Sequence, residues 1–215
     1  MKKAVIILLL MTTYLSFAQK AIYQSDAFEV LSKNHKMLAI LPFAAKLELM
    51  DEKILYRENL DDLEKKEGYE VQNALQNYFL KGNKRKNYKV DFQDIKNTNN
   101  ILEKNGINIS NIDIYTTQEL CKILKVDGII SGNLTINALI SKGVSTSYDF
   151  IAFITGKSDY GRIAIKVSDG SSGKLLWRYE KSINRKSGKN TFAIIEDMMK
   201  KATRKFPYDK QKKVK

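Results

Sequence analysis

Histidine occurs once in this chain, at His35, and cysteine once, at Cys121. These are the residue types on which acid–base and nucleophilic catalysis most often lean, because modest shifts bring their pKa values close to neutrality. His35 lies in Lys33-Asn34-His35-Lys36, a cationic stretch with no carboxylate to orient the ring and no nucleophile beside it. It reads as a surface histidine. Cys121, within Gln118-Glu119-Leu120-Cys121-Lys122-Ile123-Leu124, falls on the apolar stripe of a helix and reads as a small core residue. One histidine and one cysteine cannot complete a tetrahedral zinc set, and no His-Glu-x-x-His is present. Neither a metal nor a cofactor is expected, and no catalytic residue is assigned.

Three turn sequences approach catalytic motifs and miss them. Gly170 and Gly173-Lys174 are spaced too closely for a phosphate loop, and Leu175 stands where Ser or Thr must hold magnesium. Ser171 and Lys174 match a Ser-x-x-Lys pair, but Ser171 belongs to a turn between strands rather than to the start of a helix. Gly156-Lys157-Ser158-Asp159-Tyr160-Gly161 has one residue too many for a nucleophile elbow. The adjacent carboxylates Asp61-Asp62 and Glu196-Asp197 would point about 100° apart on a helix, so neither pair forms an acid–base couple.

The elements that would carry these residues can be read from periodicity. Gln19 to Asn34 reads as a lead-in with one helix. Met37-Leu38-Ala39-Ile40-Leu41, ended by Pro42, is a buried strand. Leu60, Leu63, Val71, Leu75, Tyr78 and Phe79 recur at helical steps from Glu58 to Leu80, with Gly68 interrupting and Gly82 as a stop. Tyr88 to Phe92 alternates as a strand, and the polar run Asn97 to Asn100 leads to a short helix over Ile101–Asn105. Thr116 caps the next helix. Strands follow over Ile129–Leu139, Arg162–Val167 and Leu175–Glu180, the last two joined by the turn Asp169-Gly170-Ser171-Ser172-Gly173. Phe192, Ile195, Met199, Ala202 and Phe206 share a final helical face that Pro207 ends.

Met1-Lys2-Lys3, an uncharged apolar run Ala4–Phe17 and small residues at Ser16 and Ala18 make residues 1–18 a secretory signal cleaved before Gln19. The run is shorter than the ~18 residues a membrane span requires. Cleavage leaves 197 of 215 residues, enough for one domain, taken as 37–208 after a lead-in over 19–36. A basic tail over 209–215 follows. The formal charge of +13 falls to +11 when Lys2 and Lys3 leave. Its clusters, Lys81–Lys86 and Lys210–Lys215, suit an anionic surface such as an acidic glycan. Aromatic residues do not interleave with them, so no nucleic-acid partner is expected.

Four segments in order carry a family resemblance. They are the strand Leu38-Ala39-Ile40-Leu41-Pro42-Phe43, the passage Leu124-Lys125-Val126-Asp127-Gly128-Ile129-Ile130-Ser131-Gly132, the stretch Ile165–Trp177 built around Asp169-Gly170, and the closing Phe206-Pro207-Tyr208. Together they resemble the periplasmic domains of the curli-secretion lipoprotein CsgG, the penicillin-binding-protein activator LpoB and related envelope lipoproteins. The resemblance implies an α/β (α+β) fold, a single mixed β-sheet flanked by helices. It also implies a non-enzymatic role in protein contacts or self-association at the envelope. Gln19 stands where those proteins carry a lipidated cysteine, so no lipid anchor is expected. The segments Ile140–Tyr160 and Ser182–Asn190 are too short to supply two membrane hairpins of about 9–11 residues per strand, so no channel is expected.

The expected protein is thus an exported accessory or adaptor, periplasmic or envelope-associated, that binds a protein partner. Tyr148, Phe150 and Phe153, aromatic in a Ser- and Gly-rich stretch, are its candidate contact residues. The alternative is a binding module for an acidic cell-envelope polymer, and an unrecognised hydrolase is the least favoured reading.

Overall fold

Met37–Ile40 is apolar at every position because both of its faces are covered. Leu38 and Ile40 enter one core cluster, while Ala39 and the following Leu41 enter a second on the opposite side. The computed structural model describes residues 22–47, 57–86, 88–136, 159–184, 193 and 206–208. Their elements are β1 (Ile22–Gln24), α1 (Phe28–Leu31), β2 (Met37–Ile40), β3 (Ala44–Leu47), α2 (Arg57–Lys86), β4 (Asp91–Phe92), α3 (Ile95–Lys104), a 3₁₀ turn (Ile112–Ile114), α4 (Thr117–Leu124), β5 (Gly128–Ile136), β6 (Asp159–Asp169) and β7 (Leu175–Asn184). The seven strands form one sheet in the order β1-β7-β6-β5-β2-β4, with β3 also paired to β5. β2 runs parallel to β4 and β5, and β3 continues past Pro42 along the same edge of β5, from Ala44 opposite Asn133 to Leu47 opposite Ile136. From β5 through β6 and β7 to β1 each strand runs antiparallel to the next. The expected fold class, a single mixed sheet flanked by helices, is the one observed.

One layer is α2, whose Val71, Leu75, Tyr78 and Phe79 pack with Leu38, Ile130, Ile165 and Trp177. The other is α3 with α4, whose Leu102, Leu120, Cys121 and Leu124 pack on Ala39, Leu41 and Ile129. β6 buries Ile163, Ile165 and Val167 toward α2, with the small Ala164 buried on its other face.

The helices depart from the sequence reading in three places. α2 does not stop at Gly82; it runs on to Lys86. Gly68 does not interrupt it either. Phe43 N donates to the Gly68 carbonyl at 3.3 Å, and a Cβ on Gly68 would stand 2.1 Å from the Phe43 carbonyl oxygen. The glycine is what lets α2 lie against the chain after Pro42. α3 begins at Ile95 rather than Ile101, because Asp94 caps it by accepting from Lys96 N and Asn97 N. Thr98 Oγ1 donates to Gln93 Oε1, and Asn99 exchanges amide bonds with the buried Gln72. These tertiary partners outweigh the weak helix propensity of the Asn-Thr-Asn-Asn run. Thr116 caps α4 as expected, in a reciprocal box with Glu119.

The start of the chain departs too. The lead-in has its one helix, α1, whose Phe28 is 3% exposed, but Ile22–Gln24 before it form an edge strand on β7, Ile22 facing Tyr179 and Gln24 facing Trp177. β4 is a two-residue strand although Tyr88 and Val90 before it are both buried.

Gly68→Ala should lower stability by about 2 kcal/mol or more through the clash with Phe43, against an intrinsic helix gain of about 1 kcal/mol. Denaturant unfolding of the two proteins reads the balance; a stabilised variant would mean that the backbone contact can relax freely.

Candidate functional site

The turn after β6 folds back onto the entry to β5, so that two Asp-Gly pairs distant in sequence become neighbours. Gly170 N donates to the Asp127 carbonyl at 2.8 Å. A Cβ on Gly170 would meet that oxygen and Cys121 Sγ, each at 2.8 Å, so no larger residue fits. Asp127 in turn holds the start of β2, its Oδ2 accepting from Lys36 N at 2.7 Å and Met37 N at 2.9 Å.

His35 sits between these turns and the end of the described chain. It is 8% exposed, which corrects its reading as a surface histidine: the lysines around it point the sequence outward, but the ring turns inward to two distant partners. Nε2 lies 2.8 Å from Asp169 Oδ1 and Nδ1 lies 2.6 Å from Tyr208 Oη. The other oxygen of Asp169 accepts from Ser171 Oγ and Ser172 N, both at 2.7 Å, and from Ser172 Oγ. Burial drives this carboxyl's pKa up, but the bonds from Ser172, Ser171 and His35 outweigh burial and hold it at about 2. Burial, reinforced by the charges of Asp169 and Asp127, raises the Tyr208 phenol far above its ordinary value. An ionised Asp169 only accepts, so Nε2 carries a proton, and in the neutral ring Nδ1 accepts the Tyr208 hydroxyl. Tyr208 is also held by Lys89 N, which donates to its carbonyl at 2.9 Å, and by the Phe28 ring edge-on at 5.2 Å.

Hydroxyl, imidazole and carboxylate stand here in the order of a catalytic relay, but the hydroxyl is a phenol 2% exposed. Ser171 and Ser172 bond to the carboxylate and not to the ring, which leaves them without a base. A cleft of about 410 Å³ opens over the cluster, lined by Leu31, Gln118, Cys121, Lys122, Asp127 and Ser171 among others. Cys121 is its sulfur wall and is buried as expected; burial first, then Asp169 and Asp127, push its thiol up to about 12. It stays protonated near neutrality and is a poor nucleophile.

No protein-family model matches the sequence, and no curated protein matches it. Among solved structures the chain is similar to the LpoB C-terminal domain from Salmonella enterica, with 9% identity, a TM-score of 0.37, and 70% of this chain and 84% of that chain covered. It is also similar to lipoprotein GNA1162 from Neisseria meningitidis, with 11% identity, a TM-score of 0.46, and 79% and 99% covered. A third is the PelC dodecamer from Paraburkholderia phytofirmans, with 11% identity, a TM-score of 0.37, and 82% and 95% covered. These are likenesses in the course of the chain, at scores below 0.5, and the functional reading rests on this chain's own geometry.

Of the residues singled out in the sequence, Asp169, Ser171, Cys121 and His35 are brought together, as parts of the fastening cluster. Lys174 is exposed and joins the turn through its backbone alone, its N–H donating to Ser172 Oγ at 3.3 Å and its carbonyl accepting from Asp169 N at 2.9 Å. Asp61 and Asp62 lie exposed on α2, Asp62 with Lys65 Nζ at 4.0 Å. Tyr148, Phe150 and Phe153, the Gly156–Ser158 turn, Glu196-Asp197 and the tail 209–215 lie outside the described residues. Among the described residues no group of three or more His, Cys, Asp or Glu could hold a metal, and no helix is long and apolar enough to cross a membrane. Tyr208 is the residue whose role sequence reading missed, since it was legible only as part of the closing Phe206-Pro207-Tyr208 segment.

His35→Ala strands a buried carboxylate and should cost about 3–5 kcal/mol, whereas Tyr208→Phe should cost about 1–2 kcal/mol. Equal costs in denaturant melts would contradict a cluster centred on the His35–Asp169 bond. The pH dependence has a definite sign. Asp169 holds its proton less tightly folded, at about 2, than at its ordinary 3.8. Its contribution is therefore complete above 3.8 and is lost as pH falls toward 2. The gap in stability between the parent chain and Asp169→Asn should shrink across that window and stay constant above it.

Proposed function

We propose that this chain is an exported, non-enzymatic accessory or adaptor protein that acts by binding a protein partner at the cell envelope. The observation that carries this reading is where the reactive groups have gone. The histidine has both ring nitrogens bonded inside the protein, its carboxylate partner is saturated by serine donors, and the cysteine is buried with a raised pKa. Side chains spent on internal fastening are unavailable for turnover, while recognition needs only a surface. The secretory head of the sequence supports an address outside the cytoplasm, with cleavage before Gln19 and no lipid attached there. The motif resemblance to the LpoB and CsgG domains agrees with that address and with a role in contacts.

Within this reading, Tyr148, Phe150 and Phe153, between β5 and β6, are the contact residues that composition favours. Large aromatics in a polar, small-residue setting suit interface anchors. The alternative, an acidic-polymer module, draws on the lysine clusters and predicts retention that collapses as salt screens the charge.

In-cell cross-linking of a tagged copy tests the reading. Tyr148→Ala with Phe150→Ala should reduce the cross-linked envelope protein by about tenfold and move the Tm by less than ~2 °C. A fall in Tm of ~5 °C or more would assign the two rings to the core. Retention on an acidic glycan matrix that disappears between low and physiological salt, with no protein cross-linked, would replace the adaptor by the polymer module.

A further inference from the structure

α3 and α4 cover only part of their side of the sheet. Ala39, Leu41 and Ile129 lie beneath them, but farther along β5 the same face continues as Ser131, Asn133 and Thr135. The register extends it across the antiparallel strands. Ser131 pairs with Lys166, Lys166 with Arg178, and Arg178 with Tyr23, which makes one row. Asn133, Ala164 and Glu180 make the next, and Thr135, Arg162 and Ser182 the third. Neighbours within a row stand about 4.8 Å apart. Along these rows Tyr23 is 50% exposed and Asn133 and Arg162 are exposed, while the small Ala164 at the centre is buried beneath its neighbours.

Glu180 organises the cations. It receives Arg162 Nη1 at 3.2 Å on one carboxylate oxygen and Arg178 Nη2 on the other. The two guanidinium groups are thus fixed on either side of one carboxylate, each with donors to spare, and Lys166 adds a third cation beside Arg178. The Arg162 side chain is 67% exposed and that of Arg178 44%. Planar guanidiniums held in place are suited to carboxylates, which they bind through two parallel bonds.

We propose that this charged face of β6 and β7 is where the partner protein docks, presenting an acidic segment to Arg162, Arg178 and Lys166 with Tyr23 as the aromatic anchor. The proposal rests on the adaptor reading and names the chemistry of the partner. Tyr and Arg are the residue types that dominate protein–protein contacts. Glu180 at the centre disfavours a uniform polyanion, whose every unit is negative, and favours a protein segment whose carboxylates are spaced by neutral or donor groups. A second copy of this chain is a poor occupant, since its own formal charge is +13.

The test places a photo-activatable cross-linking residue in the full chain in living cells, at Asn133 or Ser182 on this face and at Glu29 or Lys104 elsewhere. Protein adducts should form from Asn133 and Ser182, and the partner peptides joined there should be rich in Asp and Glu. Arg162→Gln with Arg178→Gln should reduce their yield about tenfold or more at an unchanged Tm. Tyr23→Ser combined with Lys166→Gln supplies the same comparison should the arginine pair prove needed for folding. Adducts confined to Glu29 or Lys104 would overturn this surface and leave the adaptor reading standing. No protein adduct at any position would overturn both. Yields unaffected by the substitutions, adducts of saccharide mass, or adducts to a second copy of the chain would each overturn the acidic-segment proposal.

Discussion

An ionised carboxylate inside a protein is tolerated only when its lone pairs are met, and Asp169, at 1% exposure, is the point around which much of this molecule is arranged. Its donors come from two places. The turn that joins β6 to β7 wraps Ser171 and Ser172 around one oxygen, and the loop before β2 sends in His35 for the other. His35 then passes the constraint on to Tyr208, whose hydroxyl would otherwise be buried without a partner. One charge thereby links three stretches of chain that secondary structure leaves separate. The backbone bond from Gly170 to Asp127, and the grip of Asp127 on Lys36 and Met37, add a second fastening of the same loops. The aromatic cluster continues it inward, since Phe206, two residues before Tyr208, packs edge-on to Trp177 at 5.6 Å.

The sheet divides into two halves with different solvent. Its parallel part, β2 with the start of β5, has helices on both faces and is written in nearly unbroken apolar residues. Its antiparallel part, β6, β7 and β1, packs one face on α2. Ile163, Ile165 and Val167 point into that core, while Arg162 and Lys166 lie on the opposite face about the small, buried Ala164. A register fixed by the face in the core fixes the positions of the charges on the other.

Legibility in the sequence followed the distance over which each signal acts. The capping box of Thr116, the turn at Asp169–Gly173 and the alternation of β6 are written within a few residues of themselves, so they could be read. His35 could not, because its two partners lie 134 and 173 residues away and it stands between Lys33-Asn34 and Lys36. The same holds for Ile22–Gln24, since three residues show no period and the strand exists only through pairing with β7. Gly68 misled in the opposite direction. By intrinsic propensity a mid-helix glycine weakens a helix, and only the approach of Phe43 explains why it belongs there. α3 begins early for a related reason, its amide-rich first turns being held by Gln72, Gln76 and Gln93, which no local pattern reveals.

These features bear jointly on what kind of protein this is. Catalysis needs reactive groups that face a substrate and can change protonation during the reaction. Here the carboxylate sits at about 2 and the thiol at about 12, and both remain in one state across the neutral range. Groups pinned in that way make the loops they join stiff. Stiff loops at one end of β6 and β7 keep the strands in register, and the register is what sets Arg178 between Lys166 and Tyr23 and brings Glu180 within reach of both arginines. A guanidinium already oriented by a carboxylate loses less side-chain freedom when it meets a second one, so the ordering cost of binding is partly met in folding. The buried charge and the exposed ones are therefore parts of a single arrangement, in which internal polar bonds fix the loops and the sheet register they hold sets the charges on the outer face.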